Sequence, residues 1–442
     1  MNSKVYAQFE VQPGGKLRGM LRVPGDKSIS HRALMLGAIA AGDTDITGFL
    51  EGGDTLATLA AFQAMGVQID RAGGHVTVRG AGLHGLKPPP GALDLGNSGT
   101  SMRLLAGLLA GQAFDTTLIG DESLSRRPMR RVVEPLTRMG ARIDTTPGGT
   151  APLRIHGGRR LAGIEYAMPV ASAQVKSCLL LAGLYAAGAT TIIEPAPSRD
   201  HTERMLGTFG AAIDTDGARV SLRGGQRLRA TSIAVPGDIS SAAFLMVGAA
   251  IAPGSDLTLQ NVGVNPTRTG IIDILKAMGA DLQLLNERQA GAEPVADIRV
   301  RGGTLRGIRI DGRLVPLAID EFPVVFIAAV AASGETVLTG AEELRVKESD
   351  RIAVMVEGLR RLGVRAEPAA DGVRISGGGE GAVFSGGEID SRGDHRVAMA
   401  FAIAALRASA PIKILDCTNV ATSFPGFVEC ARAAGLAIVG KP

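Results

Sequence analysis

The chain has 442 residues, 45% of them hydrophobic and 20% charged, with a formal net charge of +4. That length supplies ample core and more than one domain. Aromatics reach only 3%, with no Trp, and Lys and Arg are scattered. A polymer-binding surface of basic runs and stacking rings is therefore disfavoured, and small anionic ligands fit better.

The opening MNSKVYAQFEVQPGG lacks the apolar core and small-residue cleavage site of a signal peptide. Apolar runs such as FPVVFIAAVAA fall short of the roughly 18 residues a membrane span needs. Cys178, Cys417 and Cys430 show no CxxC or metal spacing and suit a reducing compartment, so a cytoplasmic protein is expected.

The first strong signal is PGDKSISHR, residues 24–32, where Lys27, Ser28, Ser30 and Arg32 follow a Pro-Gly turn and the run LMLGAIAA comes next. VPGD occurs at 23–26 and again at 235–238, and the two stretches after it are alike: KSISHRALMLGAIAAGDTDITG and ISSAAFLMVGAAIAPGSDLTLQ. Each leads to a second stretch containing Met-Gly, LATLAAFQAMGVQI and IIDILKAMGADL. Between them lie LGNSGTSMRLLAGLLAGQAFDTTLIG with MRRVVEPLTRMGARI, then VASAQVKSCLLLAGLYAAGATTIIE with TERMLGTFGAAI. After the second VPGD come AIDEFPVVFIAAVAASGETVLTG with DRIAVMVEGLRRLGVRA, then GDHRVAMAFAIAALRASAPIKILD with FVECARAAGLAI. The chain thus reads as six units, each on the order of 70 residues, the size of a multi-element unit rather than a solenoid repeat.

Every unit has one grammar. A polar opener precedes an Ala/Leu helix with no polar face, which must be buried. A Gly ends that helix, and a β-branched strand such as TTIIE or ETVLTG comes after it. A second, amphipathic helix comes next, and short strands (HVTVRG, LRIHGG, GVRISGG) finish the set. The expected class is α/β in two similar domains of three repeats each. Residues 24–235 form one; residues 1–23 and 236–442 form the other, discontinuous one. Two crossings near Pro24 and Pro236 predict a hinge with a ligand cleft between the halves.

The openers lie where free N–H groups and the helix dipole favour anions, an effect of about 0.3–1 kcal/mol per helix. Ser, Thr, Asn and Asp also cap helices in any protein. For Ser240 and Ser241, in a unit without an obvious cation, capping is the better reading. For Lys27, Ser28 and Arg32 together, capping leaves the cations unexplained, and ligand binding is favoured. Arginines recur ahead of the second helix in SLSRRPMRR, PSRDHTER, NPTRTG and VKESDR. Arginine grips carboxylate or phosphate in a bidentate fork. Asp320, Glu321 and Glu348 stand among these cations. Asp320 reads either as a cap or as an acid–base group, and Glu348 either as a partner of Lys347 or Arg351 or as the second such group. Asp200, His201 and Glu203, and Asp394 with His395, lack metal-ligand spacing and read as caps or pairs, so no metal is expected. No phosphate-binding P-loop or dinucleotide fingerprint is present.

In order and spacing, PGDKSISHR, LGNSGTSMR, RRPM, SAQ, LRVKESDR, GDHR and the SFP at Phe424 resemble the 5-enolpyruvylshikimate-3-phosphate synthase family across essentially the whole chain. The resemblance implies an inverted, barrel-like α/β fold of two domains. It also implies transfer of the enolpyruvyl group of phosphoenolpyruvate to the 5-hydroxyl of shikimate 3-phosphate, on the way to chorismate. Lys27, Ser28, Arg32, Ser172, Ala173, Gln174, Arg199, Asp320 and Lys347 would then meet shikimate 3-phosphate. Lys27, Asn97, Gly99, Arg127, Gln174, Arg351 and Arg396 would meet phosphoenolpyruvate. Asp320, Glu348 and Lys27 would be catalytic, with no cofactor, nucleic acid or membrane involved and a monomer expected. Leu104, Ala173 and the pair Thr422-Ser423 replace residues common in many members (Pro, Ser and a C-terminal Lys) and resemble a second bacterial subgroup. Gly99 leaves room for glyphosate, so sensitivity to it is expected.

Charges agree with this reading. The two substrates bring roughly −5 to −6. Lys27, Arg32, Arg127, Arg199, Lys347, Arg351 and Arg396 face them with Asp320 and Glu348. The related transferase acting on UDP-N-acetylglucosamine resembles a protein with a Cys in a loop of its first half, and GQAFDTTLIGDESLSRRP has none. A non-catalytic RNA-binding repeat protein would leave Asp320 and Glu348 idle.

Overall fold

The computed structural model describes residues 4–442. The chain divides into two compact units. One comprises the residues up to Pro24 with Pro236–Gln289 and Glu293–Pro442; the other comprises Gly25–Val235 with Ala290–Ala292. Both divisions of the main chain fall inside the VPGD sequences.

One strand order recurs in the sheets. In the second unit Ala41–Thr47 lies between Ser232–Ala234, parallel to it, and His75–Ala81, antiparallel, with Gln68–Ala72 outermost. Thr116–Ile119 sits likewise between Leu93–Asp94 and Leu153–His156, with Arg142–Asp144 outside. Ala189–Ile193 lies between Glu165–Ala167 and Arg219–Arg223, with Ile213–Asp216 outside. In the first unit Asp256–Gly263 lies between Arg18–Leu21 and Glu293–Arg301, and Ile412–Leu415 between Gly387–Asp390 and Gln8–Val11. The sheet of Ser333–Leu338 keeps the antiparallel strands Gly372–Gly378 and Ala366–Ala369, and on its other side has only single parallel bridges from Arg306 and Arg309. The strand after each buried helix is therefore interior to its sheet or bridged on both sides. Gln8–Val11 completes the last sheet, which is why one unit is discontinuous.

The helices opened by the polar motifs are Lys27–Ile39, Gly99–Ala110, Ala173–Gly183, Ile239–Ile251, Phe322–Ala331 and His395–Ala404. Every residue of Ile239–Ile251 and Phe322–Ala331 is buried, as helices apolar on all sides must be. Each unit packs around its own core. With few aromatics, these cores close by small residues. A Cβ on Gly107 would lie 2.0 Å from the Cys178 carbonyl oxygen, so only glycine lets Gly99–Ala110 approach Ala173–Gly183 this closely. The glycines after four of the helices, Gly42, Gly188, Gly254 and Gly334, have φ between +76° and +102°, which an L side chain rarely adopts. Among the described residues no helix is long and apolar enough to cross a membrane.

Candidate active site

In each unit, side chains tie together the first turns of the three buried helices. In the Gly25–Val235 unit, Arg32 links the first to the third. Its Nη1 donates to the Ser28 carbonyl at 2.9 Å, its Nε to Thr202 Oγ1 at 2.6 Å and its Nη2 to Ser177 Oγ at 2.7 Å. Ser177 Oγ in turn lies 2.6 Å from the Ala173 carbonyl. Lys27, at the head of the first helix, puts Nζ 2.9 Å from Asp54 Oδ2. Ser172 caps the third helix by accepting from the Val175 N–H.

Gln174 joins the third helix to the second. Its Oε1 accepts from Arg103 Nη1 at 2.7 Å, and its Nε2 donates to Thr100 Oγ1 at 3.1 Å. Arg127 Nη2 donates to Asn97 Oδ1 at 2.7 Å and to Ser123 Oγ at 3.3 Å. A Cβ on Gly99 would sit 2.9 Å from Arg103 Nη1 and 3.0 Å from Arg127 Nη1, so Asn97, Gly99, Arg103, Arg127 and Gln174 form one cluster. His31 completes the ties: its Nδ1 lies 2.8 Å from Thr58 Oγ1, which is 2.5 Å from Ser101 Oγ on the second helix. His31 Nε2 has no partner. Burial holds this imidazole well below its usual pKa, with Lys27 and Arg32 adding to the effect and Asp26 opposing it. Arg199 is partly buried, between Ser198 and Asp200, in the segment after Ala189–Ile193.

The other unit gathers carboxylates with its cations. Buried Arg351 holds three of them. Its Nε donates to Asp394 Oδ2 at 2.9 Å, its Nη2 to Glu348 Oε2 at 2.6 Å and its Nη1 to Asp320 Oδ1 at 3.3 Å. Burial works against the charge on Arg351, but Asp394, Glu348 and Asp320 outweigh it and raise the guanidinium's pKa. Arg396 Nη1 donates to the Asp320 carbonyl at 3.1 Å, and its Nη2 lies 3.9 Å from Asp320 Oδ2. Lys347 Nζ is 4.0 Å from Asp320 Oδ1. Loss of water pulls the Lys347 ammonium below the usual lysine range, while Asp320 and Glu343 pull it back. The five candidates of this unit, Asp320, Lys347, Glu348, Arg351 and Arg396, are thus neighbours.

Some readings from sequence need correction. Ser240 is not the cap of its helix: Asp238 takes that place, accepting from the Ser240 N–H at 2.8 Å. Nor does Ser240 lack a cation, since Arg268 Nη2 donates to its hydroxyl at 2.8 Å and lies 3.1 Å from Asp238 Oδ1. The Ser240 hydroxyl donates to buried Glu321, the residue at the cap position of Phe322–Ala331, so Asp320 is not a cap. Glu348 pairs with Arg351, one of the two partners expected for it. Thr422 Oγ1 donates to the Asn419 carbonyl at 2.7 Å within its own turn. Arg103, Asp54 and Asp394 belong to the clusters, and sequence reasoning missed them as site residues. Arg103 had a signal, since it stands four residues after Gly99, one helical turn away.

A profile of the family described as EPSP synthase (3-phosphoshikimate 1-carboxyvinyltransferase) matches residues 11–430. The chain is 67% identical to the 3-phosphoshikimate 1-carboxyvinyltransferase of Alkalilimnicola ehrlichii over 98% of its own length and 96% of that protein. It is also 67% identical to that of Methylococcus capsulatus, over 97% and 98%. The solved EPSP synthase of Acinetobacter baumannii superposes with a TM-score of 0.88 at 57% identity, covering 98% of this chain and 100% of that one. The enolpyruvyl transferase NikO of Streptomyces tendae shares the fold, with a TM-score of 0.80 at 17% identity over 99% and 100%. The ordered motifs, the repeated α/β architecture and these likenesses agree: the chain belongs to the EPSP synthase family.

Proposed function

We infer that this chain catalyses the family reaction: shikimate 3-phosphate and phosphoenolpyruvate give 5-enolpyruvylshikimate 3-phosphate and phosphate. The observation that carries the assignment of roles is the meeting of Asp320 and Glu348 on one buried guanidinium, Arg351, beside Lys347 and Arg396. Two carboxylates held on one guanidinium suit a reaction that moves one proton onto a carbon and takes another from a hydroxyl.

Lys27, Ser28, Arg32, Ser172, Ala173, Gln174 and Arg199, with Asp320 and Lys347, bind shikimate 3-phosphate. Lys27, Asn97, Gly99, Arg127, Gln174, Arg351 and Arg396 bind phosphoenolpyruvate. Glu348 protonates the CH2 carbon of the enol, and the neighbouring carbon becomes cationic. Asp320 removes the proton of the 5-hydroxyl, whose oxygen bonds to that carbon. Glu348, now a carboxylate, takes a proton back from the new methyl group, which restores the double bond as the C–O bond to phosphate breaks, and Lys27 takes up the charge on the leaving phosphate. An anionic donor beside Arg351 competes with Glu348 for it, and a nearby negative charge raises a carboxyl group's affinity for its proton. Binding of phosphoenolpyruvate thereby prepares Glu348 as the acid.

The test is phosphate release on mixing the protein with phosphoenolpyruvate and shikimate 3-phosphate, run beside UDP-N-acetylglucosamine as acceptor. Release is expected with shikimate 3-phosphate alone; silence with that acceptor, or release only with the nucleotide sugar, refutes the assignment.

A further inference from the structure

Two residues beyond Gln174, the same helix carries a lysine that none of the roles above uses. Lys176 is 1% exposed, and its Nζ donates to Glu194 Oε2 at 2.7 Å and to the Ser198 carbonyl at 3.3 Å. It also lies 2.6 Å from Glu203 Oε1. The Ser198 hydroxyl donates to the other oxygen of Glu194. Glu194, Ser198 and Glu203 are all buried. One ammonium therefore grips the chain at 194 and 198, just before Arg199, and at 203, just after it.

Stability alone does not call for this arrangement. Taking an ammonium and two carboxylates out of water costs several kcal/mol per ion, and well-packed apolar side chains of similar volume often hold a fold as well or better. Here one oxygen of Glu203 is left without a partner, and burial pushes the Glu203 carboxyl above its usual range despite Lys176. What the ions add is a fixed path for residues 194–203. The opposite side of that segment is held by Arg32, through Thr202 Oγ1 and Ser177 Oγ. Arg199 thus rides on a segment fastened at both ends by buried polar contacts.

We propose that Lys176 is a positioning residue for the phosphate end of shikimate 3-phosphate, acting through Glu194, Ser198 and Glu203 to hold the Arg199 segment in its binding geometry. The proposal rests on the functional reading above. A misplacement on the order of 1 Å in a binding group loses up to about a hundredfold. The effect falls mainly on shikimate 3-phosphate, because Arg351 and Arg396 take their contacts from Asp394, Glu348 and Asp320 rather than from this segment.

The experiment is calorimetric titration of shikimate 3-phosphate into the full-length enzyme without phosphoenolpyruvate, comparing the wild type with Lys176→Met. The dissociation constant is expected to rise about tenfold or more, while KM for phosphoenolpyruvate at saturating shikimate 3-phosphate stays within about twofold. Unchanged affinity for shikimate 3-phosphate overturns the proposal. So does a loss shared equally by both substrates, which marks a purely structural lysine. Ser198→Ala, which removes one hydroxyl bond to Glu194, decides the matter if the lysine variant does not fold: it must weaken shikimate 3-phosphate and spare phosphoenolpyruvate. A wild-type enzyme that does not bind shikimate 3-phosphate overturns the functional reading instead.

Discussion

The two units use one repeat to build unlike first turns. In Gly25–Val235, the arginines at the helix starts bond to hydroxyls, amides and carbonyls: Arg32 to Thr202, Ser177 and Ser28, Arg103 to Gln174, Arg127 to Asn97. Such partners orient a guanidinium. In the other unit, Arg351 is bound by Asp394, Glu348 and Asp320, and Arg268 by Asp238. There the guanidinium groups hold carboxylates in fixed positions beside Lys347 and Arg396. Both sets offer cations to an anion, and the second adds the carboxylates that move protons.

The sharpest way to break this contrast is to neutralise the carboxylates. Asp320→Asn and Glu348→Gln should each lower kcat by about 10²- to 10⁴-fold, the usual worth of a positioned acid or base. Affinity for phosphoenolpyruvate should fall much less, because Arg351 keeps Asp394 and the arginines of the other unit are untouched. Steady-state kinetics with both substrates reads the outcome, and a near-wild-type rate in either variant removes that residue from its role.

The cores differ as well, and paired glycine variants show how. Gly107→Ala drives a methyl group into a backbone carbonyl, that of Cys178, which has no rotamer to escape by. Overpacking of this kind costs about 1–3 kcal/mol. Gly248→Ala meets only the ends of side chains, Leu17 Cδ1 at 2.8 Å and Leu406 Cδ1 at 3.1 Å. Those can shift, and a helical Gly→Ala change returns up to about 1 kcal/mol. Thermal melting should therefore drop clearly for the first variant and hardly move for the second. Equal drops would mean that the helices of both units are packed backbone to backbone.

Much of this was legible in the chain itself. The recurrence of polar opener, apolar helix, glycine and β-branched strand depends only on local sequence, and it is what the six-unit reading rests on. The cations of PGDKSISHR stood out because capping needs no lysine or arginine. Partners were harder to read. Asp394 reads as a cap or a pair with no partner named, and it anchors Arg351, 43 residues away in sequence. Arg268 and Ser240 are 28 residues apart and meet only after the strand between them is laid into its sheet. Lys176 sits just ahead of the apolar run CLLLAGL, where a buried ion triad leaves no periodic trace. Which ions meet is decided by tertiary structure, and a single chain does not display it.

Gly99 tests the anion-receiving set more gently. In Gly99→Ala the new methyl would press on Arg103 Nη1 and Arg127 Nη1, both at the far ends of long side chains, so the fold should tolerate it. KM for phosphoenolpyruvate should rise about tenfold, equivalent to about 1.4 kcal/mol. Inhibition by glyphosate should weaken at least as much, and KM for shikimate 3-phosphate should stay put. A wild-type enzyme inhibited only at millimolar glyphosate, or a variant affected equally in both substrates, would mean that Gly99 does not border the phosphoenolpyruvate site.

The smallest effect concerns the buried imidazole that ties the first two helices of the same unit. His31 is held well below its ordinary value of 6.5 by burial, helped by Lys27 and Arg32, so it takes up a proton less readily in the folded protein than in the unfolded chain. The unfolded chain takes up a proton there as the pH falls through 6.5. Because the folded pKa is depressed, folding loses stability on acidification: the contribution is present above the unfolded value and declines below it. The loss from this one group sets in as the pH falls through the unfolded value. His31→Gln keeps a polar side chain near Thr58 without a titrating group, and should remove that part of the pH dependence when denaturant midpoints are compared on either side of that value. An identical pH dependence in the variant would mean that other groups carry it, and that the tie between these helix starts is indifferent to protons.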